Sequence, residues 1–169
     1  MSTVALPVDL ALRGTAVLPR QVVPDALVLI AGEQITWAGP VAHAPEHRAT
    51  STRNHDGLIL PGLVDVHCHG GGGASFPDAS TAEEMMTAVR EHRRAGTTSL
   101  VASLVTASAQ TLRDRVRDLR SLADSGDIVG VHLEGPFISA ARKGAQNPTH
   151  ITGGDAALVR ELAELAGGA

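Results

Sequence analysis

The 169 residues contain one cysteine, no tyrosine, one tryptophan and two phenylalanines. A single thiol, Cys68, cannot form an internal disulfide, which excludes a cystine-stapled secreted scaffold and suits the cytoplasm. With aromatics at 2%, core volume has to come from Val, Leu, Ile and Ala. No stretch approaches the roughly 18 apolar residues of a membrane helix. The N-terminus places Asp9 before its first arginine, Arg13, and has no long apolar run, so no signal peptide is read. Neither charge sign dominates: the formal net charge is −4. The basic residues are scattered, densest at Arg90, Arg93 and Arg94, with no aromatics between them, and nucleic acid is not expected as a partner. What is present is globular in kind, with 43% hydrophobic and 19% charged residues.

Residues 1–57 read as a small β domain. Val22 to Ile30 is a β-branched run that stops at Ala31-Gly32, and Gln34 to Ala38 alternates before Gly39-Pro40 ends it. Residues 41–56, with the isolated histidines His43, His47 and His55, read as polar and irregular. A small antiparallel sheet is the expectation.

The rhythm changes over residues 58–169. Leu58 to Val66 is almost continuously apolar, the pattern of a strand buried on both faces. After a glycine-rich loop, Ser80-Thr81-Ala82-Glu83 has capping-box spacing and predicts a helix ending before Gly96. Thr97 to Val105 predicts a second strand. Leu112, Val116, Leu119 and Leu122, at i, i+4, i+7 and i+10, predict a helix with one apolar face. A third strand is expected from Ile128 to Leu133, and Leu158, Leu162 and Leu165 mark a last amphipathic helix. Three strands alternating with three helices predict a parallel sheet covered by helices, either an open doubly-wound sheet or part of an α/β barrel. A closed eight-stranded barrel takes about 250 residues, so three units would be only its first part.

Chemistry gathers at two strand ends. In Asp65-Val66-His67-Cys68-His69-Gly70, strand alternation points His67 and His69 the same way and Cys68 the other. Two imidazoles at the C-terminal end of a parallel strand can share a divalent metal, although such a pair can also sit unliganded in a loop. Gly70 to Gly73 let the backbone turn sharply and approach a ligand. In Gly130-Val131-His132-Leu133-Glu134-Gly135-Pro136-Phe137, a carboxylate ends an apolar run and needs compensation, which a metal supplies, unless Glu134 simply faces water. His132 reads as a satisfied core histidine and Cys68 as a small packing residue. Arg142 to Pro148 is a polar loop leaving the same sheet edge as Glu134, placed to meet a polar substrate.

Leu60 to Gly70 resembles the opening of the barrel in the amidohydrolase superfamily. His132 to Phe137 followed by Lys143-Gly144-Ala145 is similar to the signature of the N-acetylglucosamine-6-phosphate deacetylases in particular. The resemblance implies a partial (β/α)8 barrel, three βα units long, preceded by part of a β-sandwich domain. It implies hydrolysis of the acetamide of N-acetylglucosamine 6-phosphate. Glu134 is then a ligand of the catalytic metal, with His67 and His69 able to hold a second ion. One or two divalent ions per subunit are expected, zinc foremost, with iron or manganese as alternatives. Ala145 and Gln146 fall on sugar-contacting positions. The second of these is commonly histidine, and glutamine cannot titrate near neutrality.

The resemblance also implies a homodimer and a catalytic aspartate from a barrel segment later than residue 169. On that reading the 169 residues alone are expected to be inactive and unstable as a monomer. Two alternatives stay open: an amidohydrolase acting on a cyclic amide or another acylated amine, and a partial product without a working site.

Overall fold

The computed structural model describes residues 5–168, and the chain divides into two units, Met1–Pro61 and Gly62–Ala169. The division falls a few residues after the change of rhythm read at residue 58.

In the first unit, strands β1 (Leu6–Leu18), β2 (Gln21–Ala31), β3 (Gln34–Pro40) and β4 (His47–Ile59) form one sheet in the order β3-β2-β1-β4. The expectation of an antiparallel sheet needs correcting. β1 pairs antiparallel with β2, and β2 with β3, but β4 runs parallel to β1. The irregular stretch expected over 41–56 is likewise replaced: only Val41–His43 makes a short 3-10 turn, and β4 begins at His47. β4 is a mostly exposed edge strand held by its backbone ladder to β1, so it carries no apolar alternation to be read. Alternation is instead plain in β2. Leu27 and Leu29 pack with Val8 and Ala11 on one face, while Ala26 and Val28 pack with Ala16 and Val23 on the other. Each such leucine contributes about 1.5–3 kcal/mol on burial.

The second unit is built from β5 (Leu63–Cys68), a minimal hairpin of β6 (Gly70–Gly71) and β7 (Ala74–Ser75), α1 (Ala82–Arg94), β8 (Thr97–Val105), α2 (Ala109–Asp124), β9 (Gly130–Glu134) and α3 (Ala156–Ala166). β5, β8 and β9 form a parallel sheet in that order, with β8 central. The apolar run from Leu58 is not one strand. Leu58-Ile59 closes β4, Pro61-Gly62 interrupts, and β5 starts at Leu63. Nor is it buried on both faces. β5 lies at the sheet edge, and Val64 and Val66 are 66% and 67% exposed. A continuous apolar run signals double burial only where something stands on both sides.

α2 and α3 keep their sequence-predicted faces, and α1 adds its own. Met85, Ala88 and Val89 of α1, Leu112, Val116, Leu119 and Leu122 of α2, and Leu158 and Leu162 of α3 enter one core with Phe76, Leu100, Leu104 and Ile128. The cap of α1 sits one residue later than expected. Thr81 Oγ1 accepts the Glu84 N–H, and the Glu84 carboxylate accepts from the Ser80 N–H and hydroxyl. At the other end Gly96 takes φ +100°, a left-handed conformation that a side chain would resist. Asp155 caps α3 by accepting from the Ala157 and Leu158 N–H groups. The result is a mixed α/β fold. No helix among the described residues is long and apolar enough to cross a membrane.

Candidate metal centre

β5 and β9 flank β8, and their C-terminal ends lie at the same end of the parallel sheet. That places the ends of the two sequence motifs together. His67 Nε2 lies 2.9 Å from His69 Nε2 and 3.3 Å from Glu134 Oε2, and His69 Nε2 lies 2.9 Å from the same oxygen. All three side chains are partly open to solvent.

Hydrogen bonding decides what these atoms present to one another. His69 Nδ1 is 3.1 Å from the Ser103 main-chain oxygen. A carbonyl oxygen only accepts, so Nδ1 carries the proton, and neutral His69 turns a bare lone pair at Nε2 toward a carboxylate oxygen. Two acceptors at hydrogen-bond distance repel unless a cation stands with them, either a proton or a metal. The same pattern, with the far nitrogen donating to a carbonyl, is how ligating histidines are commonly oriented. The three ligand atoms also suit a divalent ion in spacing. Zinc bonds of 2.0–2.1 Å imply tetrahedral edges of about 3.3–3.4 Å, a few tenths of an ångström wider than most separations here. Partial burial raises the Glu134 carboxyl, but the ring nitrogens of His67 and His69 beside it, which favour the anion when a proton or another cation is shared among them, outweigh burial and hold the group below its ordinary value. Glu134 is thus an anion offered to a cation.

Gly135, directly after Glu134, takes φ +101°, and a side chain there would collide with the Thr106 hydroxyl. Only glycine lets the chain leave β9 this close to β8.

Of the loop residues, Ala145 is exposed. Gln146 is held: its Oε1 accepts the Thr106 N–H at 2.7 Å, which fixes the amide orientation and leaves its NH₂ as donor. Cys68 is 4% exposed and packed in the core, with its sulfur against His92 of α1.

Three residues escaped the sequence reading. Ser103 is fully buried under the site and bonds both its neighbours' strands. His92 on α1 reaches the β5 exit, with Nε2 3.0 Å from the Gly70 oxygen and 3.1 Å from Cys68 Sγ. Asp65 completes a second group of ligating types with Cys68 and His92. A serine in a β run and a histidine on a charged helix face gave no signal that separates them from ordinary packing and surface residues.

Known proteins are similar to this chain. N-acetylglucosamine-6-phosphate deacetylase of Bacillus subtilis (strain 168) is 35% identical over 122 residues, covering 67% of this chain and 30% of the relative. N-acetylgalactosamine-6-phosphate deacetylase of Shewanella sp. (strain ANA-3) is 31% identical over 66% of this chain and 28% of its own length. The chain therefore spans about a third of the curated relatives it matches. The crystal structure of N-acetyl-D-glucosamine-6-phosphate deacetylase from Mycobacterium smegmatis superposes with a TM-score of 0.82 at 34% identity, over 94% of this chain and 45% of that one. A variant of that enzyme in complex with N-acetyl-D-glucosamine-6-phosphate gives the same TM-score at 33% identity, over 94% of this chain and 41% of that one. Residues 58–168 match the amidohydrolase family. With that match over most of its second unit and beyond, the chain belongs to the amidohydrolase family.

Proposed function

We propose that this chain supplies the first part of an N-acetylglucosamine-6-phosphate deacetylase, which hydrolyses the acetamide of N-acetylglucosamine 6-phosphate to glucosamine 6-phosphate and acetate. Residues 1–57 form part of a small β-sandwich domain, and residues 58–169 are the first three units of a (β/α)8 barrel. The exposed Leu63, Val64 and Val66 of β5 support the barrel reading, because further strands and their side chains would cover them. His67, His69 and Glu134 hold one or two divalent ions, zinc foremost, then iron or manganese. Ala145 and Gln146 face the sugar, Gln146 through its free NH₂ donor. An aspartate from a later barrel segment moves the proton from water to the leaving amine. The enzyme works in the cytoplasm as a homodimer, without nucleic-acid or membrane partners.

The observation that carries this reading is the convergence of two unprotonated nitrogen or oxygen acceptors and a third ligating nitrogen at the sheet's C-terminal end. When bound there, a divalent ion would bring the pKa of water down toward about 7 and polarise an acyl carbonyl. The residues themselves supply the anionic and neutral ligands, the orientation through Ser103, and an opening to solvent.

The product of the complete reading frame, loaded with zinc, tests the proposal. It should release acetate from N-acetylglucosamine 6-phosphate, lose this activity to a chelator, and act more slowly on the galactosamine epimer. Acetate release from neither sugar phosphate would sink the proposal. Preference for the epimer would keep the chemistry and change the substrate.

A further inference from the structure

Ser103 lies on β8 opposite His132 on β9. It touches the site in two ways. Its main-chain oxygen takes the His69 Nδ1 proton, as described above. Its hydroxyl oxygen lies 3.1 Å from the Cys68 N–H and 3.0 Å from His132 Nδ1. The Cys68 N–H can only donate. The hydroxyl therefore accepts from Cys68 and has one proton of its own to place. Ser103 is 0% exposed, so water does not take that proton, and a buried hydroxyl left without an acceptor is costly. His132 Nδ1 is the acceptor within reach. His132 then carries its own proton at Nε2, the reverse of His69. The His132 ring stands edge-on to His67, with centroids 4.9 Å apart, and its Nε2 has no bonded partner among the described residues.

We propose that Ser103 is a positioning residue that fixes opposite tautomers in two histidines of one site. His69 presents a bare Nε2 and serves as a ligand. His132 presents an Nε2–H and serves as a neutral hydrogen-bond donor to an oxygen of the acylated substrate, beside the ligands but not among them. The tautomer assignment stands on hydrogen bonding alone. The substrate-facing role of His132 rests on the deacetylase reading.

The test is a long-range proton–nitrogen correlation spectrum of the histidine side chains, taken on the zinc-loaded product of the complete reading frame. His132 should show a protonated Nε2 and an unprotonated Nδ1, and His69 the reverse with Nε2 on zinc. Ser103→Ala should leave the zinc stoichiometry unchanged, since the His69 bond uses main chain, and should turn the His132 signals into a mixture of tautomers. A His132 protonated at Nδ1 in the wild-type spectrum would overturn the assignment, even if Ser103→Ala fails to fold. So would a serine variant whose His132 signals are unmoved.

Function is read separately. His132→Gln keeps an N–H near the Nε2 position and should hold kcat/KM within a few-fold of wild type. His132→Leu should lower it about tenfold, the value of one neutral hydrogen bond, with zinc content unchanged. Equal loss in both variants would overturn the donor role. If the tautomers are as stated but no acetylated sugar phosphate is cleaved, the deacetylase reading has failed and the tautomer assignment stands.

Discussion

Two groups of three ligating side chains interleave along β5 and its exit: His67 and His69 with Glu134 of β9, and Asp65 and Cys68 with His92 of α1. By proximity alone they are equals. They differ in what their atoms have already been given to do. In the first group, His69 donates its far N–H to Ser103 and leaves a lone pair directed at the Glu134 anion. In the second, His92 also donates a ring N–H to a carbonyl, from Nε2 to Gly70, but that protonated nitrogen is the one 3.1 Å from Cys68 Sγ, so the lone pair left at Nδ1 is not the one beside the sulfur. Its Nδ1 is 3.9 Å from the Asp65 carboxylate, too far for a hydrogen bond. Burial pushes the Cys68 thiol up, and a metal requires the thiolate. The second group is closed on itself and ties α1 to the glycine loop. The first is open. Direction of lone pairs, more than distance, marks the first group as the candidate metal centre and the second as a structural clasp.

The sharpest way to break this comparison is Glu134→Gln. Loss of an outer partner to a metal ligand already costs about 10–100-fold in affinity or activity, and removing an anionic ligand should exceed 100-fold in both. The amide keeps the shape, so folding should survive. Near-normal turnover with unchanged metal content would remove Glu134 from the centre.

Changing His67 and His69 together to alanine, which cannot ligate, comes next. Bound metal should fall from as many as two ions per subunit toward one, and activity should fall less than in the Glu134 variant. Elemental analysis showing no change would reduce the pair to shaping the loop.

His92→Ala probes the closed group. It leaves the Gly70 carbonyl without its partner and should reduce unfolding free energy by about 0.5–1.5 kcal/mol, with zinc content untouched. Zinc loss on this substitution would show that the clasp is a site after all.

The smallest effect is that of acid on the second unit. A hydrogen bond from Ser125, then Arg93, holds Asp127 below its ordinary value. Bonds from Ser80 do the same for Glu84, and the Arg113 pair for Glu161. Groups lowered by folding add stability that is complete above their unfolded values and is lost as pH falls through the folded ones. Denaturant midpoints should therefore be level above about pH 5 and decline below about pH 4. A midpoint that rises on acidification would contradict the sign.

How much of this was legible in the sequence follows from the same distinction. The α2 face, Leu112 to Leu122, read correctly because burial on one face imposes a helical period, and β8, Thr97 to Val105, because this central strand is a run of β-forming residues. β4 was invisible because an exposed edge strand is specified by its ladder, which any residue but proline can join. β5 is open on one face within these residues although its apolar run reads as doubly buried, because such a run does not say what stands beside it. At the site, His67, His69 and Glu134 announced themselves by spacing and by position at strand ends. Ser103 and His92 did not, because their roles come from cross-strand register and from a helix packed over the loop, and neither leaves a local pattern.

The central claim, that the open group and not the closed one takes the metal, is tested most directly by X-ray absorption on the zinc-loaded product of the complete reading frame. The only cysteine of these 169 residues belongs to the closed group, so within this segment sulfur is a label for it. The account predicts a first shell of nitrogen and oxygen alone at about 2.0–2.1 Å, unchanged by Cys68→Ser. A zinc–sulfur distance of about 2.3 Å that disappears in Cys68→Ser would contradict it.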